Sequence, residues 1–256
     1  MAKNIAIVTG ATGGLGREFV RLLIKQGVDE VWAVARNPYK LEELQMNYPG
    51  KIIAIPADLT DREAIKGIAD RLAARDVSVQ YLVNNAGFAK FCSYNDITVE
   101  ESLSMIDLNV SAVVALGLEC IPYMPKGSHI INIASEASFF PLPYMNLYSA
   151  TKAFVRNYTR ALNVELKDAG ITATAVCPGW IDTGLFDRAK VGAEKAASVF
   201  KGMVKPVKVA RAALRDANAG RDISVFSLYV KAAHVLSKVT PQSTAMKVWM
   251  RQQGLK

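Results

Sequence analysis

The run Ile5-Ala6-Ile7-Val8-Thr9-Gly10-Ala11-Thr12-Gly13-Gly14-Leu15-Gly16 sets an apolar segment, a glycine-rich turn and the start of a helical period in immediate succession. The apolar segment reads as a buried strand, and residues 14–26 repeat apolar side chains at helical spacing. Glycines between them permit a tight turn and close approach of the backbone to a phosphate. The helix start that follows turns its free N–H groups toward that charge. A glycine cluster elsewhere would carry little; directly after a first strand it reads as a dinucleotide-binding turn.

The same alternation continues outward. Strand-length apolar runs at 30–35, 52–56, 81–83, 129–134, 171–177 and 223–226 alternate with helical periods at 40–46, 62–74, 98–124, 147–167 and 207–217. Repeated strand–helix units with apolar strands predict an α/β fold. The expected architecture is a Rossmann-type doubly wound parallel sheet of about seven strands, flanked by helices on both faces, with ligands at the carboxyl ends of the strands. Neither a repeat nor a linker divides the chain, so residues 1–256 read as a single domain. Within it, residues 183–204 are expected to form a substrate lid, and residues 228–256 a basic helical C-terminal extension.

Composition narrows the function classes. The chain has 256 residues, 51% hydrophobic and 21% charged, which is globular. Its start lacks a basic-then-apolar leader, and the most apolar stretch, residues 110–121, falls short of the roughly 18 residues that span a bilayer. A soluble, cytoplasmic protein is expected. Cys92, Cys120 and Cys177 fit neither a disulfide framework nor a CxxC site. With His129 and His234 as the only histidines, no metal site is expected, and both imidazoles read as structural.

The net charge of +8 is unevenly placed, because residues 187–256 carry 14 Lys/Arg against 4 Asp/Glu. No nucleic-acid-binding motif accompanies that charge, so nucleic acid is not expected as a partner. A basic end with Trp249 suits an anionic membrane surface, a partner subunit, or a fold back over the ligand cleft, the last being preferred.

Two further features are chemical. The second strand ends Ala35-Arg36-Asn37, with no carboxylate and a guanidinium instead. Acidic residues at that position take the ribose hydroxyls of NAD, whereas an arginine pairs with the 2′-phosphate of NADP, so NADP(H) is expected over NAD(H), with the Thr12 hydroxyl as a second contact. Tyr148 and Lys152 stand at i and i+4 on a helical pattern and share one face. An ammonium so placed is expected to draw the phenol's pKa down toward neutral pH.

The spacing Thr9-Gly10-x-x-x-Gly14-x-Gly16 resembles the short-chain dehydrogenase/reductase family, and the resemblance runs through roughly residues 4–227. Ala57-Asp58-Leu59-Thr60 stands where that family holds the adenine ring, and Asn84-Asn85-Ala86-Gly87 where it supports sheet and cofactor. Asn109, Ser135, Tyr148 and Lys152 fall on its catalytic four, and Pro178-Gly179-Trp180-Ile181-Asp182-Thr183 on its nicotinamide loop. The resemblance implies cofactor contacts from Gly10, Thr12, Gly14, Leu15, Gly16, Arg36, Asp58, Leu59, Asn85, Ala86, Gly87, Tyr148, Lys152, Pro178, Gly179, Ile181 and Thr183. It also implies that Tyr148 transfers the proton, Ser135 steadies the substrate oxygen, Lys152 bonds the nicotinamide ribose, and Asn109 holds a water linking Lys152 to solvent. Ser138 is the rival of Ser135, and Glu136 between them departs from the small residues usual there.

The implied activity is interconversion of a ketone and a secondary alcohol at the CH–OH group. The extended C-terminus is similar to that of DltE-type, hydroxysteroid and 3-oxoacyl reductases. Apolar side chains after the strands, namely Phe88, Phe91, Phe139, Phe140, Leu142, Met145, Trp180, Leu185 and Phe186, suit either core packing or a lipophilic substrate such as a steroid, bile acid or fatty-acyl derivative. A reductase of small aromatic or aliphatic ketones and a non-catalytic NADP-binding redox sensor are the alternatives. The family resemblance further implies a homo-oligomer, a dimer or tetramer.

Overall fold

Alternation along the strands divides the core into two layers. In β1 (Lys3–Thr9), Ile5 and Ile7 face one side while Ala6 and Val8 face the other, and all four are fully buried. A strand buried on both faces needs helices above and below it. The computed structural model describes residues 2–183, 189 and 202–255 and has that arrangement.

β2 (Glu30–Ala35), β3 (Ile52–Pro56), β4 (Val77–Asn84), β5 (His129–Ile133), β6 (Thr172–Val176) and β7 (Ile223–Ser224) join β1 in a seven-stranded sheet of order β3-β2-β1-β4-β5-β6-β7. Every pairing is parallel. The order reverses between β1 and β4, so the crevice for a ligand opens where those two strands end.

Helices α1 (Gly14–Lys25), α2 (Pro38–Asn47) and α7 (Pro206–Asn218) supply buried side chains to the Ala6/Val8 face, among them Phe19, Leu23, Leu41 and Leu214. The Ile5/Ile7 face is covered by α3 (Arg62–Ala73), α5 (Ala112–Cys120) and α6 (Asn146–Glu165) through Ile68, Leu72, Leu116 and Leu162. Side chains cap the helix starts where the sequence offers them. Asn37 accepts from the Lys40 amide before α2, and Thr98 and Glu101 form a reciprocal capping box on α4 (Val99–Ile106).

The helical period expected over 98–124 is subdivided. After α4 the chain makes a π-turn at Asp107–Ser111 before α5, then a 3-10 turn at Ile121–Tyr123. π-turns insert an extra residue and recur at functional sites; this one carries Asn109. An 18-residue window within Val99–Tyr123 reaches a mean hydropathy of 1.6, so by length and composition alone this stretch could span a bilayer. Its apolar side chains are spent differently here: Met105, Ala112, Val113, Leu116 and Cys120 pack into the core.

The extension consists of α8 (Leu228–Leu236) and α9 (Gln242–Gln253), separated at Pro241. Of the expected lid, 184–188 and 190–201 lie outside the described residues, as do Leu185 and Phe186. Val204 bridges to Ile181 beside the strand ends.

Candidate active site

The glycine turn is held by the end of the neighbouring strand. Asn85 donates through Nδ2 to the carbonyls of Thr9 (3.0 Å) and Gly10 (3.2 Å), while the amides of Asn85 and Ala86 donate to Thr9 Oγ1 at 2.9 Å. Gly10 has φ +61, a left-handed conformation that favours glycine. A Cβ at Gly16 would lie 2.1 Å from the Gly10 carbonyl oxygen, so only glycine lets α1 seat this close to the turn. Gly13 precedes the helix and offers it no side-chain cap, leaving the first-turn N–H groups for a ligand.

From this turn a continuous cleft of about 1900 Å³ runs past Arg36, Asp58, Leu59 and Gly87 to Ser135, Tyr148, Lys152 and the Pro178–Thr183 segment. All the residues expected to contact cofactor line it except Gly16, which packs beneath. Bare backbone near Gly10, Gly14 and Gly87, a helix start and a cation at the end of β2 fit a dinucleotide of the nicotinamide type. Arg36 is exposed and makes no hydrogen bond or ion pair with any described residue. Asp58 accepts from the Thr60 amide (3.0 Å) and hydroxyl (2.9 Å), which fixes the loop after β3.

At the far end, α6 presents Tyr148 and Lys152 one turn apart, both buried. Ser135 leaves β5 in extended conformation, and its Oγ accepts from the Ala137 amide at 3.1 Å, keeping its proton for another partner. That hydroxyl stands near enough to the Tyr148 phenol to favour its ionised form, a smaller effect than burial. Ser138 turns away, with Oγ 3.8 Å from Cys177 Sγ, and does not line the cleft.

Burial sets the proton affinities. It pushes the Tyr148 phenol up to about 12, against the effect of Ser135 and with help from the nearby Glu136 charge. It pushes the Lys152 ammonium down to about 8. The expected lowering of the tyrosine by its lysine is thus overturned in this structure. Lys152 Nζ lies 5.8 Å from the Tyr148 ring centroid and donates to the Ile133 carbonyl at 2.8 Å, and burial, not the lysine, dominates the phenol's proton affinity.

Asn109 is fully buried below the cleft. Its Oδ1 accepts from the Phe88 amide (3.1 Å), and its Nδ2 donates to the Phe88 carbonyl (2.9 Å) and Thr151 Oγ1 (3.2 Å). The π-turn therefore straps the loop after β4 to α6, next to Gly87, where a Cβ would sit 2.8 Å from Asn109 Oδ1.

Around Tyr148 the wall is apolar. Phe91 meets Tyr148 edge-on at 6.0 Å between centroids and Trp180 at 6.1 Å. Phe88, Phe140, Leu142 and Met145 also line the cleft. Phe139 does not; it packs in the core, stacked on His234 at 4.7 Å, because its 3-10 turn points it away from the strand ends. His129 bonds Thr172 Oγ1 at 2.7 Å, so both histidines serve packing.

The extension reaches back over this wall. Trp249 Nε1 donates to the Pro143 carbonyl at 2.9 Å, and Ala245, Val248 and Gln252 of α9, with Tyr229 and Ala233 of α8, line the cleft. The preferred sequence reading, a tail folded back over the cleft with Trp249, named none of these other lining residues, because helical spacing does not say which side chains a docked helix presents. Among the described residues no cluster of His, Cys, Asp or Glu could hold a metal ion.

Comparison with known proteins agrees with this geometry. The profile of the short chain dehydrogenase family matches residues 4–193. An uncharacterised oxidoreductase of Staphylococcus epidermidis is 32% identical over 197 residues, covering 75% of this chain and 84% of its own. A short-chain dehydrogenase from Sphingobium yanoikuyae in complex with NADPH superposes with a TM-score of 0.77 at 26% identity, covering 94% of this chain and 97% of that one. The closed form of a serine dehydrogenase complexed with NADP+ has a TM-score of 0.76 at 30% identity, covering 86% and 93%.

Proposed function

The chain belongs to the short chain dehydrogenase family, an oxidoreductase acting on CH–OH groups, and from that premise we propose that it reduces lipophilic ketones with NADPH. The observation that carries this reading is the convergence of Ser135, Tyr148 and Lys152 at the apolar end of a cleft whose other end holds the glycine turn and Arg36. A bound reduced nicotinamide supplies a hydride to the carbonyl carbon. The chain's residues do the rest. Tyr148, protonated at neutral pH because burial raises its pKa, donates its proton to the substrate oxygen. Ser135 hydrogen-bonds that oxygen as negative charge develops there. Lys152, charged below about pH 8, faces the phenolate that remains, and Asn109 keeps Phe88, Gly87 and α6 in register. A sensor that only binds nucleotide has no use for this convergence. Incubation with NADPH and a panel of ketones, followed by NADPH absorbance, tests the assignment; no turnover on any of them would remove it.

Preference for NADP(H) rests on Arg36, whose guanidinium has no partner among the described residues and no carboxylate nearby on β2 to favour NAD. NADPH and NADP+ in two of the solved relatives support it. Arg36→Asp is expected to lower the NADPH/NADH ratio of kcat/KM about a hundredfold, by replacing a phosphate-pairing cation with a repelling anion. An unchanged ratio would place the phosphate elsewhere, with Thr12 the next candidate.

Lipophilic selectivity rests on the apolar wall and the docked extension. Each methylene buried there contributes about 0.8 kcal/mol, about fourfold in efficiency, so bulky or long-chain ketones should exceed acetone-sized ones. Trp249→Ala releases α9 from Pro143 and is expected to narrow the bulky-to-small ratio by about tenfold while NADPH affinity holds. If the ranking of ketones survives unaltered, the extension does not cover the substrate. The free, buried cysteines fit a reducing, cytoplasmic compartment. Exposed Leu103, Leu118 and Phe154 on α4, α5 and α6 supply apolar surface for self-association, and sedimentation velocity is expected to show a dimer or tetramer; a monomer would remove this reading.

A further inference from the structure

Glu136 is the acidic side chain beside the reacting groups that the mechanism leaves without a task. It opens the 3-10 turn Glu136–Phe139 directly after Ser135, and its amide donates to the Pro178 carbonyl at 2.8 Å, which fixes its position between β5 and the Pro178–Thr183 segment. A Cβ at Gly179 would lie 3.0 Å from Val230 Cγ2 and 3.3 Å from Glu136 Oε2, so the carboxylate sits close against the Gly179 backbone.

The carboxylate borders both the main cleft and an adjoining compartment of about 340 Å³ whose walls include Gly179, Trp180, Phe226, Tyr229 and Val230. It makes no hydrogen bond and no ion pair with any described residue. Two described cations near it are engaged elsewhere: Lys152 with the Ile133 carbonyl, and Arg156 over the Phe139 ring at 5.4 Å. Burial raises its pKa to about 7, and its charge in turn raises those of Tyr148 and Tyr229.

A carboxylate partly withdrawn from water, with no donor among the described residues, is costly, and here the cost falls at the mouth of a ligand cleft. We propose that Glu136 receives a hydrogen-bond donor carried by the substrate, a hydroxyl or a protonated amine. This inference rests on the carbonyl-site reading above and narrows its substrate class. The substrate has an apolar body that fills the Phe91–Trp180–Trp249 wall, and one donor group turned toward the wall made by Gly179 and Tyr229.

Three acetophenones of matched shape test it, para-substituted with ethyl, hydroxymethyl or aminomethyl. Charge-assisted bonds of this kind are worth about tenfold or more. The wild type is expected to favour hydroxymethyl or aminomethyl over ethyl by at least about tenfold in kcat/KM. Glu136→Gln keeps an acceptor and loses the charge, so it should abolish an aminomethyl preference and retain a hydroxymethyl one; Glu136→Ala should abolish both.

Calorimetric binding of the three ketones to the NADP+ complex, which carries no hydride to transfer, reads the same preference without turnover. Selective binding without turnover would therefore sink the reductase reading alone. Equal treatment of all three compounds by the wild type in both assays would overturn the inference, as would a preference that survives in Glu136→Ala. Variants that weaken NADPH binding by one common factor for all three substrates would also overturn it, by placing the carboxylate at the cofactor. Thermal melts establish that each variant is folded before it is compared.

Discussion

Tyr148→Phe is expected to lower kcat for ketone reduction about a thousandfold while NADPH affinity stays within about threefold of wild type. The ring of Tyr148 is held edge-on by Phe91 within the apolar cluster of Ala89, Met105, Ala137 and Met145, so phenylalanine retains the packing. Only the hydroxyl is lost, and with it the proton donor beside Ser135. The environment makes this group a good acid for reduction rather than a standing base, since burial keeps the phenol protonated across the neutral range. Retention of more than about a tenth of wild-type activity would show that another group delivers the proton.

Lys152→Ala is expected to cost about as much in kcat and, in addition, to weaken NADPH binding about tenfold, because one ammonium is assigned both tasks. Its pH signature separates a charge effect from collapse of the site. Burial lowers the Lys152 pKa to about 8, so the ammonium is present below that pH and lost as pH rises through it. Wild-type reduction should accordingly be level below about pH 8 and decline above it. The alanine variant should lack that break. A wild-type profile that stays level to pH 10 would deny Lys152 any titrating role, and loss of turnover with unchanged NADPH affinity would deny it the ribose contact.

Much of the frame was legible before the structure, for reasons that are local. Period-2 and period-3.6 patterns depend only on backbone geometry, which is why β1, β2, β3 and α1, α3 and α7 stand within a few residues of where spacing put them. The glycine turn was readable because Gly10, with its positive φ, and Gly16, at 2.1 Å from a carbonyl oxygen, answer steric demands that other residues do not meet. β4 was read short because Ser78 and Gln80 interrupt its apolar run, although the strand pairs with β1 from Val77 onward. The π-turn at Asn109 was invisible for a different reason: an inserted residue in a helix leaves the apolar pattern almost unchanged.

The sequence by itself determined the alternating architecture, the turn on which a dinucleotide can lie, and the placement of Tyr148 and Lys152 on one helical face, because each follows from spacing along a single element. What the tertiary structure alone decided depends on which distant segments pack together. It put α9 over the cleft through Trp249 and Pro143, sent Phe139 to the core while Phe140 stayed at the wall, and directed Ser138 to Cys177 while Ser135 met Tyr148. It also reversed the expected sign of the tyrosine's pKa and left Glu136 with no described cation to answer it. Desolvation is the physical reason: it is set by everything that surrounds a group, and no interval in a sequence encodes it.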